Sequence, residues 1–494
     1  MAGHGAGAGQ LFPTCPVPPH TNHVPSHPSG HMGQHQLQHH HQLQLQHPLQ
    51  LQQQRSEPSS SSRTSVDYAY DKGKASTFSS TLDVSQPSRS ETAASCCGGC
   101  GGGGLDGDAE AGEKHPNAQP RQEAASRPWF SLRQRLHHFT WAWFTLPMST
   151  GGLSLLIYNQ PHQFPGLRSF GLFVYIVNLV VFSCISSAIL TRFFLFPGDF
   201  KASMTHPREG FFVPTAFLSV ATIITSTQRY VIPDDETTLL WAVQMVFWTY
   251  VCVTLALAVG QYSFVFAAHS FGLHTMMPTW ILPIFPVMLS GTIASVIAGH
   301  QPDKAAVPIV VAGMTCQGLG TCVSFFMYAH MVGRLMQAGL PNREHRPGLF
   351  MCVGPPSFTA LAFIGMAQGL PKNFDVDMDG MVDAAMVRNM AVIGAVFLWA
   401  LSLWWFGIAA IAVLQSPPRD FHLGWWAMVF PNTGFTLATI SLGKMFQSES
   451  VLWFATAMSI CLAAMYCFVL YHNVRAVLAQ DIMYPGRDED VEDH

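Results

Sequence analysis

Five short blocks in this 494-residue chain set proline beside hydroxyl residues or glycine: LPMSTGG at Pro147, VPTAFLS at Pro214, FPVMLSGT at Pro286, GPPSFT at Pro356 and FPNTGFT at Pro431. Successive prolines are 67, 72, 70 and 75 residues apart, the length of a two-helix hairpin with its loops. Proline inside a helix frees a carbonyl and bends the axis, so each block reads as a kink. In a membrane such backbone is tolerated only where protein buries it or water lines it. The side chains at the bends, Ser149, Thr150, Thr215, Ser290, Thr292, Ser357, Thr359, Asn432, Thr433 and Thr436, would then line a central passage. They are uncharged hydrogen-bonding groups. With freed N–H groups and helix N-termini they suit a small anion. No Asp or Glu lies deep in an apolar segment, so the buried carboxylates of a cation pathway or proton relay are missing.

The elements that must position these blocks are apolar runs of about 20 residues or more, each long enough to span a bilayer. There are ten, at 139–159, 169–194, 210–232, 237–267, 276–299, 305–334, 349–370, 385–414, 421–444 and 448–478. The proline blocks fall on the odd-numbered runs. The expected fold is therefore all-α integral membrane: ten transmembrane helices as five helical hairpins, with the odd helices around a pore and the even ones facing lipid. With both termini in the cytoplasm, twelve basic residues fall inside and six outside, as the positive-inside rule favours. Arg192, Arg334, Arg388 and Lys444 sit near helix ends, where snorkelling to headgroups is the usual explanation.

Residues 1–128 read as a disordered cytoplasmic tail, with a His/Gln/Pro tract and the run CCGGCGGGG. Its opening, MAGHGAGAGQ, lacks the regions of a cleavable signal peptide. The membrane domain is expected over 129–480, and a short acidic tail over 481–494. A net charge of −4 points to no nucleic-acid partner, and the cysteines show neither metal nor disulfide spacing. DVDMDG at Asp375–Gly380 imitates a calcium loop but has Met386 where a bidentate Glu is required. No metal or cofactor site is expected. Without a Walker A sequence or a Ser/His/Asp arrangement, the chain reads as a non-enzyme. His206, in THPREG, reads either as a loop cap or as a titrating gate.

FTWAWFTLPMSTGGLSLL (139–156), THPREGFFVPTAFLSVATII (205–224), PTWILPIFPVMLSGTIAS (278–295), RPGLFMCVGPPSFTALAFIGMA (346–367) and WWAMVFPNTGFTLATISLG (425–443) together resemble the tellurite-resistance/dicarboxylate transporter family. The likeness is closest to its fungal malic acid (C4-dicarboxylate) transport proteins. It implies a quasi-five-fold central pore, commonly in homotrimers, and proton-coupled carriage of malate and related C4-dicarboxylates across the plasma membrane. It also implies a phenylalanine gate on the ninth helix, which falls on Phe430, with Phe285 and Phe144 as further gate candidates by repeat position. The family includes plant anion channels and fungal sulfite efflux pumps. A sulfite or other small-anion exporter or channel is therefore the alternative. FPNTG departs from the FPMTT of the plant channels, which leans toward the fungal carriers.

Overall fold

The computed structural model of the chain describes residues 131–233, 239–375, 378 and 380–483. The tail over 1–128, the acidic residues 234–236 and the C-terminal residues from 484 onward lie outside the described residues. Among the described residues the fold is all-helical, and the pairing of Asp375 with Asp383 is an isolated bridge.

Ten long helices follow one another: α1 (Thr145–Asn159), α2 (Leu167–Leu195), α3 (Val213–Tyr230), α4 (Leu240–Ala268), α5 (Phe285–Ile297), α6 (Asp303–Ala338), α7 (Gly354–Gln368), α8 (Ala384–Gln415), α9 (Phe430–Met445) and α10 (Glu449–Ala479). Seven described helical stretches are long and apolar enough to cross a membrane. Five are the even-numbered helices, and two are α3 and α7 together with the turns that precede them.

The odd helices are built differently from the even ones. Before each runs a 3₁₀ segment, at Trp141–Phe144, Glu209–Phe212, Pro278–Ile281, Arg343–Val353 and Leu423–Met428. The sequence reading expects kinks within continuous helices. The structure instead puts Pro147, Pro214, Pro286, Pro356 and Pro431 in the first α-turn, at or just after the change from 3₁₀ to α geometry. The first four N–H groups of an α-helix have no partner within it, so proline there sacrifices no bond and its fixed φ suits the start.

Contacts arrange these elements. α1 packs on α3, α3 on α5, α5 on α7, α7 on α9, and α9 back on α1. The 3₁₀ segments touch one another in the same cyclic order, so all five odd helices start at one end and run parallel. Small residues permit the close approach. A Cβ at Gly365 of α7 would stand 2.6 Å from that of Ser295 in α5. Burial separates the two sets: 83% of the apolar window in Arg343–Gln368 is buried and 67% of that in Glu209–Tyr230, against 17% to 39% in the five even helices. The even helices turn Phe173, Trp241, Phe326, Phe397 and Trp453 outward. Such an apolar exterior suits lipid rather than water.

One end of this ring carries a buried charge cluster. Arg192, at the end of α2, donates from Nη1 to Glu209 Oε1 and to the Phe139 carbonyl, each at 2.8 Å, and from Nε to Asp199 Oδ2 at 3.3 Å. Ser203 Oγ adds a bond to Glu209 Oε1 at 2.7 Å. Arg192 is 6% exposed and Glu209 2%, so the expected snorkelling of Arg192 gives way to an internal ion pair. That pair ties the approach to α1 to the approach to α3. Nearby, His206 Nδ1 accepts the backbone N–H groups of Arg208 and Glu209, at 3.3 and 3.1 Å, which is the loop-capping role.

Candidate functional site

Beginning an inner helix with proline leaves carbonyls of the preceding turn without donors. The clearest case is Cys352, whose carbonyl faces Pro355 and Pro356, neither of which has an N–H. Tyr328 Oη of α6 reaches it at 2.9 Å. At the second of the five blocks, Gln261 Nε2 of α4 donates to the Gly210 carbonyl, which also accepts the Val213 N–H. The outer helices thus satisfy polar backbone that lipid could not.

Beyond these junctions the inner helices present aromatic rings to one another. Phe358 and Phe430 stack with centroids 5.0 Å apart. Phe285 meets Phe358 at 5.8 Å and Phe430 at 6.1 Å, edge to face in both cases. All three rings are buried. Two of the three, Phe285 and Phe430, are gate candidates that the family resemblance implies. Phe144 lies elsewhere, against Phe182 of α2 at 5.7 Å and Trp141 at 5.9 Å.

A cavity begins at this cluster and runs toward the C-terminal ends of the inner helices. Gly152 and Leu155 of α1, Thr222 and Thr225 of α3, Leu289 and Thr292 of α5, Phe358 of α7, and Phe430, Thr433 and Leu437 of α9 line it. No ionisable side chain takes part. About 20 Å³ is open to the centre of a water molecule. One water needs roughly 10–15 Å³ on that measure, so a C4-dicarboxylate does not fit this conformation. Most of the hydroxyls here are committed. Thr222 donates to the Ser219 carbonyl at 2.8 Å, Thr225 to Ala221 at 2.9 Å and Thr433 to Val429 at 3.2 Å. Among the described residues Thr292 Oγ1 has no protein partner, so its proton is available to a ligand.

Of the ten expected lining residues, the structure places Thr292 and Thr433 on the cavity. The other eight are buried away from it, and among the described residues Ser149 Oγ and Ser290 Oγ have no hydrogen-bond partner. Thr150 Oγ1 pairs with Tyr466 Oη at 2.9 Å, Thr215 donates to the Phe212 and Trp141 carbonyls, and Ser357 donates to Gly354. Thr359 accepts from Gln317 Nε2 at 2.8 Å, Asn432 Nδ2 donates to the Met428 carbonyl of the preceding 3₁₀ segment, and Thr436 bonds within α9. Ser149 and Ser290 are fully buried. Phe358, Thr222 and Thr225 were not among the expected residues. Phe358 had a signal, an aromatic two residues past a repeat proline. The two threonines lie a further two turns along α3, away from any proline.

Electrically, the N-terminal end gathers five helix starts, each worth up to about half a positive charge. A shallow hollow opens there between the 3₁₀ segments, lined by Phe212, Pro278, Glu344, His345, Met351 and His422 among others.

Residues 138–474 match the family described as SLAC1, voltage-dependent anion channel. The chain is 36% identical over 367 residues to the malic acid transport protein of Schizosaccharomyces pombe, covering 74% of this chain and 84% of that protein. A putative malic acid transport protein of the same organism is 31% identical over 369 residues, 74% of this chain and 86% of the relative. The sulfite efflux pump SSU1 of Arthroderma otae is 26% identical over 373 residues, 74% of this chain and 95% of the pump.

Proposed function

This chain belongs to the SLAC1 voltage-dependent anion channel family, and from that membership we propose that it is a secondary carrier of C4-dicarboxylates such as malate across the plasma membrane. In this reading all ten long helices cross the bilayer as five hairpins, both termini are cytoplasmic, and the odd helices enclose a quasi-five-fold pore. Phe430 is the gate, backed by Phe285 and by Phe358, and Thr292 and Thr433 meet the anion. Carriage is coupled to protons with direction set by the gradients, and three copies assemble with one pore each. The tail over 1–128 is dispensable for the passage itself.

The observation that carries this reading is the cyclic packing of five parallel helices around an uncharged cavity closed by aromatic rings. A hydrophobic constriction is an established gate type, and the lining carries no acidic side chain that would repel an anion. Because the cavity admits water but not malate, transport requires the rings to swing aside.

A second reading, export of sulfite or another small inorganic anion, draws support from the likeness to a sulfite efflux pump and from the narrowness of the cavity. Radiolabelled malate uptake in cells lacking their own permease separates the two. Uptake that rises with an inward proton gradient in reconstituted vesicles supports the first. Absent malate uptake together with increased sulfite tolerance would overturn it in favour of the second.

A further inference from the structure

The C-terminal ends of the inner helices hold a second charged feature, of opposite character to the Arg192 pair. Arg229 ends α3, Lys444 ends α9 and Arg168 begins α2. All three converge on the last two residues of α1. The Arg229 guanidinium stands 5.7 Å from the Tyr158 ring centroid and that of Arg168 5.0 Å from the same ring. Lys444 Nζ bonds the Asn159 carbonyl at 3.4 Å and lies within coulombic reach of Arg229. Among the described residues none of the three is paired with a carboxylate. Glu449, at the same end, contacts His162 at 3.6 Å instead. Arg229 Nε is buried and makes no hydrogen bond.

Helix register places this cluster directly above the cavity. Thr225 lines the cavity and Arg229 follows four residues later on the same face of α3. Leu155 lines it and Asn159 is four residues on along α1; Leu437 lines it and Lys444 is seven on along α9. The cations therefore crown the cavity rather than ringing the exterior.

Their chemistry fits a negative visitor. The five inner helices turn their C-termini to the cavity at this end, each carrying up to about half a negative charge only partly offset by the outer helices that start here, and these nearer ends oppose an arriving anion. Three cations reverse that sign. Capping of helix ends alone accounts poorly for the arrangement: among the described residues Arg229 Nε bonds no carbonyl, and two guanidiniums share one phenol ring despite their mutual repulsion. A bound anion relieves that repulsion. We propose that Arg168, Arg229 and Lys444, gathered on Tyr158 and Asn159, form a cationic receiving site that takes small dianions before they enter the cavity. The inference rests on the anion-carrier reading and adds to it where the substrate is first held.

The test uses the full chain, wild type against R229Q, K444Q and the double variant, in proteoliposomes with labelled malate in one arm and sulfite in the other. The expected result is a KM raised about tenfold in the double variant, the scale on which charged mouths concentrate substrate, with Vmax little changed. Its rate should also lose most of its dependence on ionic strength, while R229K stays close to wild type. The arm with the larger KM effect identifies the dianion. Unchanged KM in a transporting wild type and double variant overturns the site, as does lowered Vmax with KM unchanged and a thermal stability that falls equally with and without anion. If wild type carries neither anion, the carrier reading fails by itself, and the site is judged by binding. Malate or sulfite raising the Tm of solubilised wild type but not of the double variant upholds it, and equal shifts overturn it.

Discussion

Phe358 of α7 rests on the bare backbone of Gly434 in α9, where an added Cβ would stand 2.6 Å from the ring. The relationship recurs around the site. Phe285 lies over Gly354 of α7, with the hypothetical Cβ at 2.7 Å, and Phe430 over Gly152 of α1 at 3.2 Å. Each ring is seated on a glycine of the next helix in cyclic order, so the position of one aromatic depends on the backbone of its neighbour.

Gly434→Ala should therefore displace Phe358 and lower stability by about 1–3 kcal/mol, the usual cost of overpacking. Adding Phe358→Leu should recover much of the loss. Thermal unfolding of the two single variants and the double variant reads the coupling; strictly additive effects would show that the glycine matters for some other reason.

Phe430→Ala opens the cavity at its aromatic wall. Anion leak should rise several-fold in vesicles, and Phe358→Ala should act in the same direction. Phe144→Ala, whose ring packs against α2 away from the cavity, should leave the leak unaltered. Unchanged flux in Phe430→Ala at normal protein level would remove that ring from the gate.

Glu209→Ala leaves the Arg192 guanidinium buried with only the partly exposed Asp199 as a counter-charge. Breaking a buried ion pair on one side typically costs about 3–5 kcal/mol. The yield of folded protein in detergent should fall sharply, and Arg192→Met with Glu209→Leu should be milder than Glu209→Ala alone. A single variant as stable as wild type would contradict the pairing.

Tyr328→Phe removes the donor to the Cys352 carbonyl, which has no backbone alternative. An unsatisfied buried acceptor costs about 1–3 kcal/mol. A drop in Tm of that order is expected, whereas Thr315→Ala, whose exposed hydroxyl bonds only its own helix, should change little.

Removing residues 1–128 should leave malate or sulfite flux per molecule intact, since the family match begins at residue 138. Lost flux in protein that reaches the membrane would assign the tail a part in transport.

The elements were legible because their signals are one-dimensional. Long apolar runs mark the helices, and a proline rhythm near 70 residues marks which of each pair is buried. Less legible was where α geometry begins, since 3₁₀ and α turns share the same residues until hydrogen bonds choose between them. The lining of this cavity was less legible for a related reason. The expected residues were those near proline, at the helix starts, where hydroxyls turn to backbone carbonyls such as Leu146, Phe212 and Gly354. The cavity opens further along, at Thr222 and Thr225, and only packing across the ring reveals that depth. Arg192 and Glu209 are seventeen residues apart on either side of a short helix, so nothing in their spacing announced a bond.

The segment Arg343–Val353 keeps eleven residues in 3₁₀ form, well past the three or four at which such runs usually stop. A 3₁₀ helix rises about 2.0 Å per residue and an α-helix 1.5 Å, so this stretch is about 5 Å longer than it would be if rewound. It is a stored length, comparable to one α-turn, placed in line with the helix that carries Phe358. Rewinding would draw that helix about one turn along its own axis, a piston stroke that lifts Phe358 off Gly434 and out of its stack with Phe430. Spin labels at the two ends of the segment would report the stroke as a shortening of about that distance when substrate is added.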